Sequence, residues 1–166
     1  MPQATTSLKA FGTADAVDQI QAALQVVVGS STQARVHERI IRTAGVRLDR
    51  AGSSLLYKLH ASGDSLRVTD LAELLGVDTP TITRKIQQLE REGLVTRHAD
   101  PVDRRATRIK LSPAGRKTLG RVLKARREWL DRLVDDWGTE DLTTFASILG
   151  RFASALQRDD GASRDH

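Results

Sequence analysis

The chain has 166 residues, no cysteine, and 26 Lys and Arg against 21 Asp and Glu, for a formal net charge of +5. That length can bury a core without staples, and a composition 39% hydrophobic and 28% charged fits a soluble globular protein, with no apolar run near the about 18 residues a membrane span needs. Without cysteine there is no disulfide framework, no zinc-thiolate site and no thiol switch.

Met1 to Gly12 holds one Lys and no continuous apolar block, so it does not read as a secretory signal; a flexible tail and a cytoplasmic protein are expected. From Asp15 to about Ala44 the residues Val17, Ile20, Leu24, Val27, Val28, Val36, Ile40 and Ile41 recur at helical spacing. Gly29-Ser30-Ser31-Thr32 interrupts them, which predicts a long helix with a weak point there. Leu48, Leu55, Leu56 and Leu59 predict a short second helix that closes at Ser62-Gly63-Asp64. Leu66 to Leu75 reads as a third, with Val68, Leu71, Ala72, Leu74 and Leu75 on one side and either Ser65 or Thr69 as its N-cap. Gly76 gives the sharp exit, Thr79 is expected to cap the next helix, and Pro80 to open it. Ile82, Ile86 and Leu89 form that helix's inward stripe, and Gly93 ends it.

Leu94 to His98 is too short for another helix and reads as a strand. After the turn signal Asp100-Pro101, Thr107, Ile109 and Leu111 alternate with Arg108 and Lys110, the period-two pattern of a half-exposed strand. Ser112-Pro113 opens a long helix with apolar positions from Leu119 to Trp137, ended by Gly138. Thr139 caps a last helix with a stripe of Leu142, Phe145, Leu149, Phe152 and Leu156, and Arg158 to His166 is expected to be disordered.

Helix, tight turn, helix and basic hairpin is an order that suits duplex DNA. A helix can present side chains to base edges in a major groove only if it projects with a polar outer face. Between Thr79 and Lys110 eight basic residues stand against four acidic ones, and the acidic pair of the helix, Glu90 and Glu92, waits at its far end. Thr79, Thr81, Thr83, Arg84, Lys85, Gln87 and Gln88 are the candidate contacts on the helix: Arg can hold guanine bidentately, Gln adenine, and a Thr methyl can meet thymine. The hairpin adds the basic residues Arg97, Arg104 and Arg105, with His98 placed near phosphate.

The stretches Leu71-Ala72-Glu73-Leu74-Leu75-Gly76-Val77, Thr79-Pro80-Thr81-Ile82-Thr83-Arg84 and Leu89-Glu90-Arg91-Glu92-Gly93-Leu94-Val95 resemble the reading head of the MarR family of bacterial regulators. Asp100-Pro101-Val102-Asp103-Arg104-Arg105 followed by Ile109-Lys110-Leu111-Ser112-Pro113-Ala114-Gly115 is similar to that family's wing signature, Asp-x-Arg and then Leu-Ser/Thr-x-x-Gly. The resemblance covers about Leu48 to Val134. It implies a mainly α fold with a small β-hairpin wing (α+β), a winged helix-turn-helix with N- and C-terminal dimerisation helices. The segments are then 1–14 as flexible tail, 15–47 as N-terminal dimerisation helix, 48–112 as winged helix-turn-helix, 113–158 as C-terminal dimerisation helices and 159–166 as disordered tail.

The same resemblance implies a homodimeric transcriptional regulator on a near-palindromic operator, a repressor released by a small aromatic or anionic effector. Wide apolar stripes that a single winged helix is too small to cover agree with a dimer. In the wing, the family pattern places Arg105 in the minor groove, Asp103 beside its guanidinium and Arg104 on phosphate. Ligand-binding residues stay unassigned: His37, Arg39, Tyr57 and His60 lie on helices that could border a cavity, yet read as solvated or packed. Four scattered histidines without cysteine offer no metal-ligand set, and no Gly-rich phosphate loop, nucleophile elbow or catalytic constellation occurs, so neither a cofactor nor an enzyme is expected. The alternatives are a winged-helix module that binds protein and a DNA-binding protein that needs no ligand.

Overall fold

A computed structural model describes residues 13–63, 65–103 and 106–162. The expected tail is covered only at 13 and 14, where the first helix has already begun, and 163–166 lie outside the described residues. The chain divides into two compact units, Met1–Ala125 and Arg126–His166.

In the first unit the expected long N-terminal helix is two helices, α1 (Thr13–Val28) and α2 (Ser30–Ala44), broken at Gly29. The break is the weak point the sequence marks: Gly29 leaves helical geometry at ψ 127°. Helix α3 (Arg50–Ala61) is capped by Asp49, whose carboxylate accepts from the Gly52 amide at 2.8 Å.

The third helix is shorter than its apolar pattern. Ser65–Arg67 is a strand, β1, and α4 spans only Val68–Leu75. Neither Ser65 nor Thr69 caps it. Residue Arg67 occupies that position, and its backbone amide donates to Asp70 Oδ2 at 3.3 Å. Gly76 then takes φ +63°, the left-handed conformation that favours glycine, and lets Val77 N donate to Ala72 O at 3.0 Å.

Helix α5 (Thr79–Arg91) starts one residue earlier than Pro80 because Asp78 is the N-cap, its Oδ1 accepting from Thr81 N at 2.6 Å. A carboxylate at that position satisfies an orphan amide and meets the positive end of the helix dipole, so Asp78 outcompetes the Thr79 hydroxyl. Hydrogen bonding to Thr81, by side chain and backbone, holds the Asp78 carboxyl below the ordinary carboxylate range.

Strands β2 (Val95–Ala99) and β3 (Thr107–Leu111) pair antiparallel as expected, and β1 joins β3 on its other edge, giving the order β1-β3-β2. The register sets Val95 opposite Leu111, Arg97 opposite Ile109 and His98 opposite Arg108, with Ser65 opposite Lys110 on the other side. One face of the sheet therefore carries Leu66, Ile109 and Leu111, and the other Ser65, Lys110 and Arg108, because successive residues of a strand point to opposite faces.

Helix α6 (Pro113–Leu133) opens on Ser112, whose Oγ accepts from Gly115 N at 2.9 Å and donates to Gly93 O at 2.6 Å. Up to Ala125 its residues Leu119, Val122 and Ala125 are buried in the first unit, with Leu55, Leu56, Leu59, Leu71, Ile86, Leu89 and Ile109 at the centre of that core. The helix stops at Leu133, four residues before the Trp137 that its apolar pattern reaches, and the bonds Val134 N to Leu130 O and Trp137 N to Val134 O close it as a turn.

In the second unit, α7 (Thr139–Ala162) begins where Leu142 N bonds Gly138 O at 3.0 Å, and Trp137 meets Phe145 edge-on at 5.3 Å between ring centroids. It runs past Arg158, where disorder was expected, since Gln157 to Asp160 contains no helix breaker and Gly161 comes only at the end. Among the described residues no helix is long and apolar enough to cross a membrane.

Candidate nucleic-acid interface

Helix α5 is held by its stripe. Ile82, Ile86 and Leu89 are buried against α3, α4 and β2, and their burial decides which way every other side chain of the helix faces. At about 100° per residue, Arg84 and Arg91 point directly away from that stripe, with Gln88 and Thr81 to one side of them and Gln87 and Thr83 to the other. Thr79, Thr81, Arg84 and Gln87 are exposed, whereas Thr83, Lys85 and Gln88 are half-buried. Arg91 also faces outward, with Nε 3.4 Å from Gln87 O, and the sequence reading left it out although its spacing from Arg84 and Gln87 marks it.

Two of the candidate helix residues are engaged inside the protein. Lys85 Nζ lies 2.6 Å from Asp49 Oδ2 and 2.8 Å from Gln88 Oε1, and only 18% of its side chain is exposed. Burial raises the Asp49 pKa, but the Lys85 and Gly52 hydrogen bonds outweigh it and the carboxyl titrates below its ordinary value. Lys85 thus ties α5 to the cap of α3, and Gln88 spends its amide on Glu92 Oε1 at 2.9 Å. On the wing, Arg97 Nε pairs with Glu90 Oε2 at 2.9 Å, fastening β2 to α5. Arg84 is exposed at the outer face, close enough to Asp78 to help keep that carboxyl ionised.

The loop between β2 and β3 contains Asp103, exposed at its side chain, with its amide donating to Asp100 Oδ1 at 3.1 Å. Arg104 and Arg105 lie outside the described residues. What sequence reasoning missed is Asp100 itself, read there only as half of a turn signal. It is 1% exposed, and Arg67 Nε at 2.8 Å and Arg108 Nη1 at 3.2 Å both donate to its Oδ2. The hydrogen bond from Arg67, then those from the Asp103 and Val102 amides, hold the carboxyl far below the ordinary carboxylate range. Reciprocally the Asp100 hydrogen bond and charge raise the Arg67 pKa. An Asp that accepts from amides two and three residues on is an Asx turn, the one local signal in Asp100-Pro101-Val102-Asp103 that points to this carboxylate.

An open cleft of ≈ 640 Å³ runs beside the outer face of α5, bounded by Arg50 and Ser54 of α3, Leu75 and Val77 at the end of α4, and Thr81 and Arg84 of α5. Its apolar floor and cationic rim lie in the first unit.

Comparison with known proteins follows the same segment. The family model described as "MarR family" matches residues 50–107, from α3 to the first residue of β3. The uncharacterized HTH-type transcriptional regulator YxaD of Bacillus subtilis is 30% identical over 109 residues, 66% of this chain and 76% of that protein. A second relative from the same organism, the uncharacterized HTH-type transcriptional regulator YdgJ, is 29% identical over 103 residues, 62% of this chain and 60% of its own length, so the chain spans less than two thirds of it. In three dimensions a MarR family protein from Bacillus stearothermophilus superposes with a TM-score of 0.76 at 22% identity, covering 89% of this chain and 99% of that one, which establishes the winged-helix fold. The wing signature, the helix-turn-helix and the relatives agree, and the chain belongs to the MarR family of transcriptional regulators.

Proposed function

We propose that the chain acts as a homodimeric repressor on a near-palindromic DNA operator and is released by a small aromatic or anionic ligand. Each copy lays α5 in a major groove and reaches the adjacent minor groove with the loop of its wing. The observation that carries this reading is the division of α5: one face is fully buried, and the opposite face presents Thr81, Arg84 and Gln87 to solvent beside a cationic hairpin. That is the form a helix needs to bring donors and methyl groups to base edges. Arg84 and Gln87 are the base-reading pair, Thr79, Thr81 and Thr83 flank them, and Lys85 and Gln88 set the helix in place rather than touching DNA. Arg104 and Arg105 serve phosphate and minor groove, with Asp103 beside them; Arg97 acts by holding β2 against Glu90.

The dimer is supported by apolar faces left in water. Val17, Ile20, Val27 and Val28 of α1 are each more than half exposed, and in the second unit Phe145, Ile148, Leu149 and Leu156 of α7 are exposed as well. Apolar rows of this extent on two helices need a covering surface, and a second copy of the chain supplies one. Two-fold symmetry then asks for half-sites about 10 base pairs apart. Release by a ligand is supported by the cleft beside α5, whose cationic rim suits an anion and whose occupation would change the surface offered to DNA. A regulator working on chromosomal DNA belongs in the cytoplasm.

Selection of bound sequences from random duplex DNA tests this directly. A two-fold motif with half-sites about one helical turn apart, and affinity that falls steeply with salt, are the expected results. Repeating the selection with aromatic carboxylates added tests release. Retention of no duplex at low salt would refute the reading.

A further inference from the structure

A full charge removed from water persists only where it is paired and hydrogen-bonded, and Asp100 meets that condition with groups from three separate pieces of chain. Arg67, from the junction of β1 and α4, and Arg108, from β3, donate to Oδ2; the amides of Val102 at 2.8 Å and Asp103 at 3.1 Å, from the wing loop, donate to Oδ1. The backbone closes around the same point, Asp100 N donating to Ala106 O at 3.0 Å and Ala106 N to Asp103 O at 2.9 Å. Arg108 is itself fixed, with Nε on Ser65 Oγ at 3.0 Å and Nη2 on Ser65 O at 3.2 Å. The residue that heads α4 and the wing residues Val102 and Asp103, which precede Arg104 and Arg105 in the chain, are therefore fastened to one carboxylate, while α4 packs on α5.

The geometry points to Asp100 as the positioning residue of the wing: it touches no DNA, but it sets where the loop stands relative to α5 and so the distance between the two groove contacts. The inference rests on the proposed reading that α5 and the wing share one duplex. Backbone fastened at Val102 and Asp103 before binding costs less to order when DNA arrives; released from the carboxylate, it must be ordered at that moment.

A double-mutant cycle in DNA affinity tests this, using the full chain and a duplex that the wild type selects. Asp100→Asn keeps the shape and removes the charge, and Arg105→Ala removes the wing arginine. Each is expected to weaken binding about tenfold, and the double variant also about tenfold rather than about a hundredfold, since a wing already out of place has nothing left to lose. Hydroxyl-radical footprints of Asp100→Asn should lose protection only at the minor groove beside each half-site, with base preference at the major-groove positions unchanged. Should Asp100→Asn fail to fold, Arg67→Gln, which leaves the Arg108 pair in place, carries the same cycle with the same expected non-additivity. Unchanged affinity in the single variant, or losses that multiply, would overturn the inference while leaving the DNA reading intact. A wild type that binds no duplex would instead overturn the DNA reading.

Discussion

Two glycines five residues apart on α6 should respond to the same substitution with opposite sign. Replacing a helical glycine by alanine normally stabilises by about 0.4–1 kcal/mol, because the unfolded chain has fewer conformations to lose. At Gly120, where a Cβ would have nothing within 4 Å, that ordinary gain is expected. At Gly115 an added Cβ would overlap the Leu94 carbonyl oxygen and sit 2.9 Å from its carbon and 3.4 Å from Leu111 Cδ2.

Relieving that overlap requires the start of α6 and the chain entering β2 to part by on the order of an ångström, a strain typical of overpacked cores at about 1–3 kcal/mol. The shift also pulls on Ser112 N–H···O Leu94 at 3.1 Å and Ser112 Oγ–H···O Gly93 at 2.6 Å, each contributing about 1 kcal/mol when intact. After subtracting the propensity gain, Gly115→Ala should lose about 2 kcal/mol, lowering Tm by about 5 °C in a chain of this length. Gly120→Ala should raise Tm by about 2 °C. Thermal unfolding of both variants at one protein concentration, which removes the contribution of association, makes the comparison. A Gly115→Ala variant as stable as Gly120→Ala would refute the close approach of α6 to the Leu94 carbonyl at this residue.

Neighbouring cations on α5 should separate stability from binding. Arg84→Ala is expected to leave Tm unchanged, cost about 1–3 kcal/mol on the selected operator and relax sequence preference, whereas Lys85→Ala should lose about 1 kcal/mol of stability with its tie to Asp49; equal losses on random and selected DNA for Arg84→Ala would remove its base-reading role. Ser53 Oγ is buried and, among the described residues, has no hydrogen-bond partner, so Ser53→Ala should be neutral or stabilising by up to about 1 kcal/mol in urea titration, and a clear loss would reveal a bond to that hydroxyl. Asp100 titrates below its unfolded value, so its contribution is complete above about pH 4 and is lost as pH falls further toward its folded value. The wild type should therefore lose stability between about pH 4 and pH 2 more steeply than Asp100→Asn, and parallel acid profiles would contradict the buried ionised state.

The sequence by itself determined the order of helix, turn, helix and hairpin and the orientation of α5. Ile82, Ile86 and Leu89 repeat at helical spacing, Gly76 and Gly93 mark sharp exits, and Thr107 to Leu111 alternates, and all of these act over a turn or a few residues. Local periodicity and local backbone freedom are enough to express them. It could not express what depends on partners far along the chain. Ser65–Arg67 is a strand only because β3 lies 43 residues away to pair with it, and three residues carry no period to read. Separation along the chain also hid the burial of Asp100, whose counterions come from β1, 33 residues earlier, and from β3, and the diversion of Lys85 to Asp49, 36 residues earlier. Charge on a helix face announces itself in sequence; whether a given charge meets solvent or a partner is settled only when packing brings distant segments together and removes the water between them.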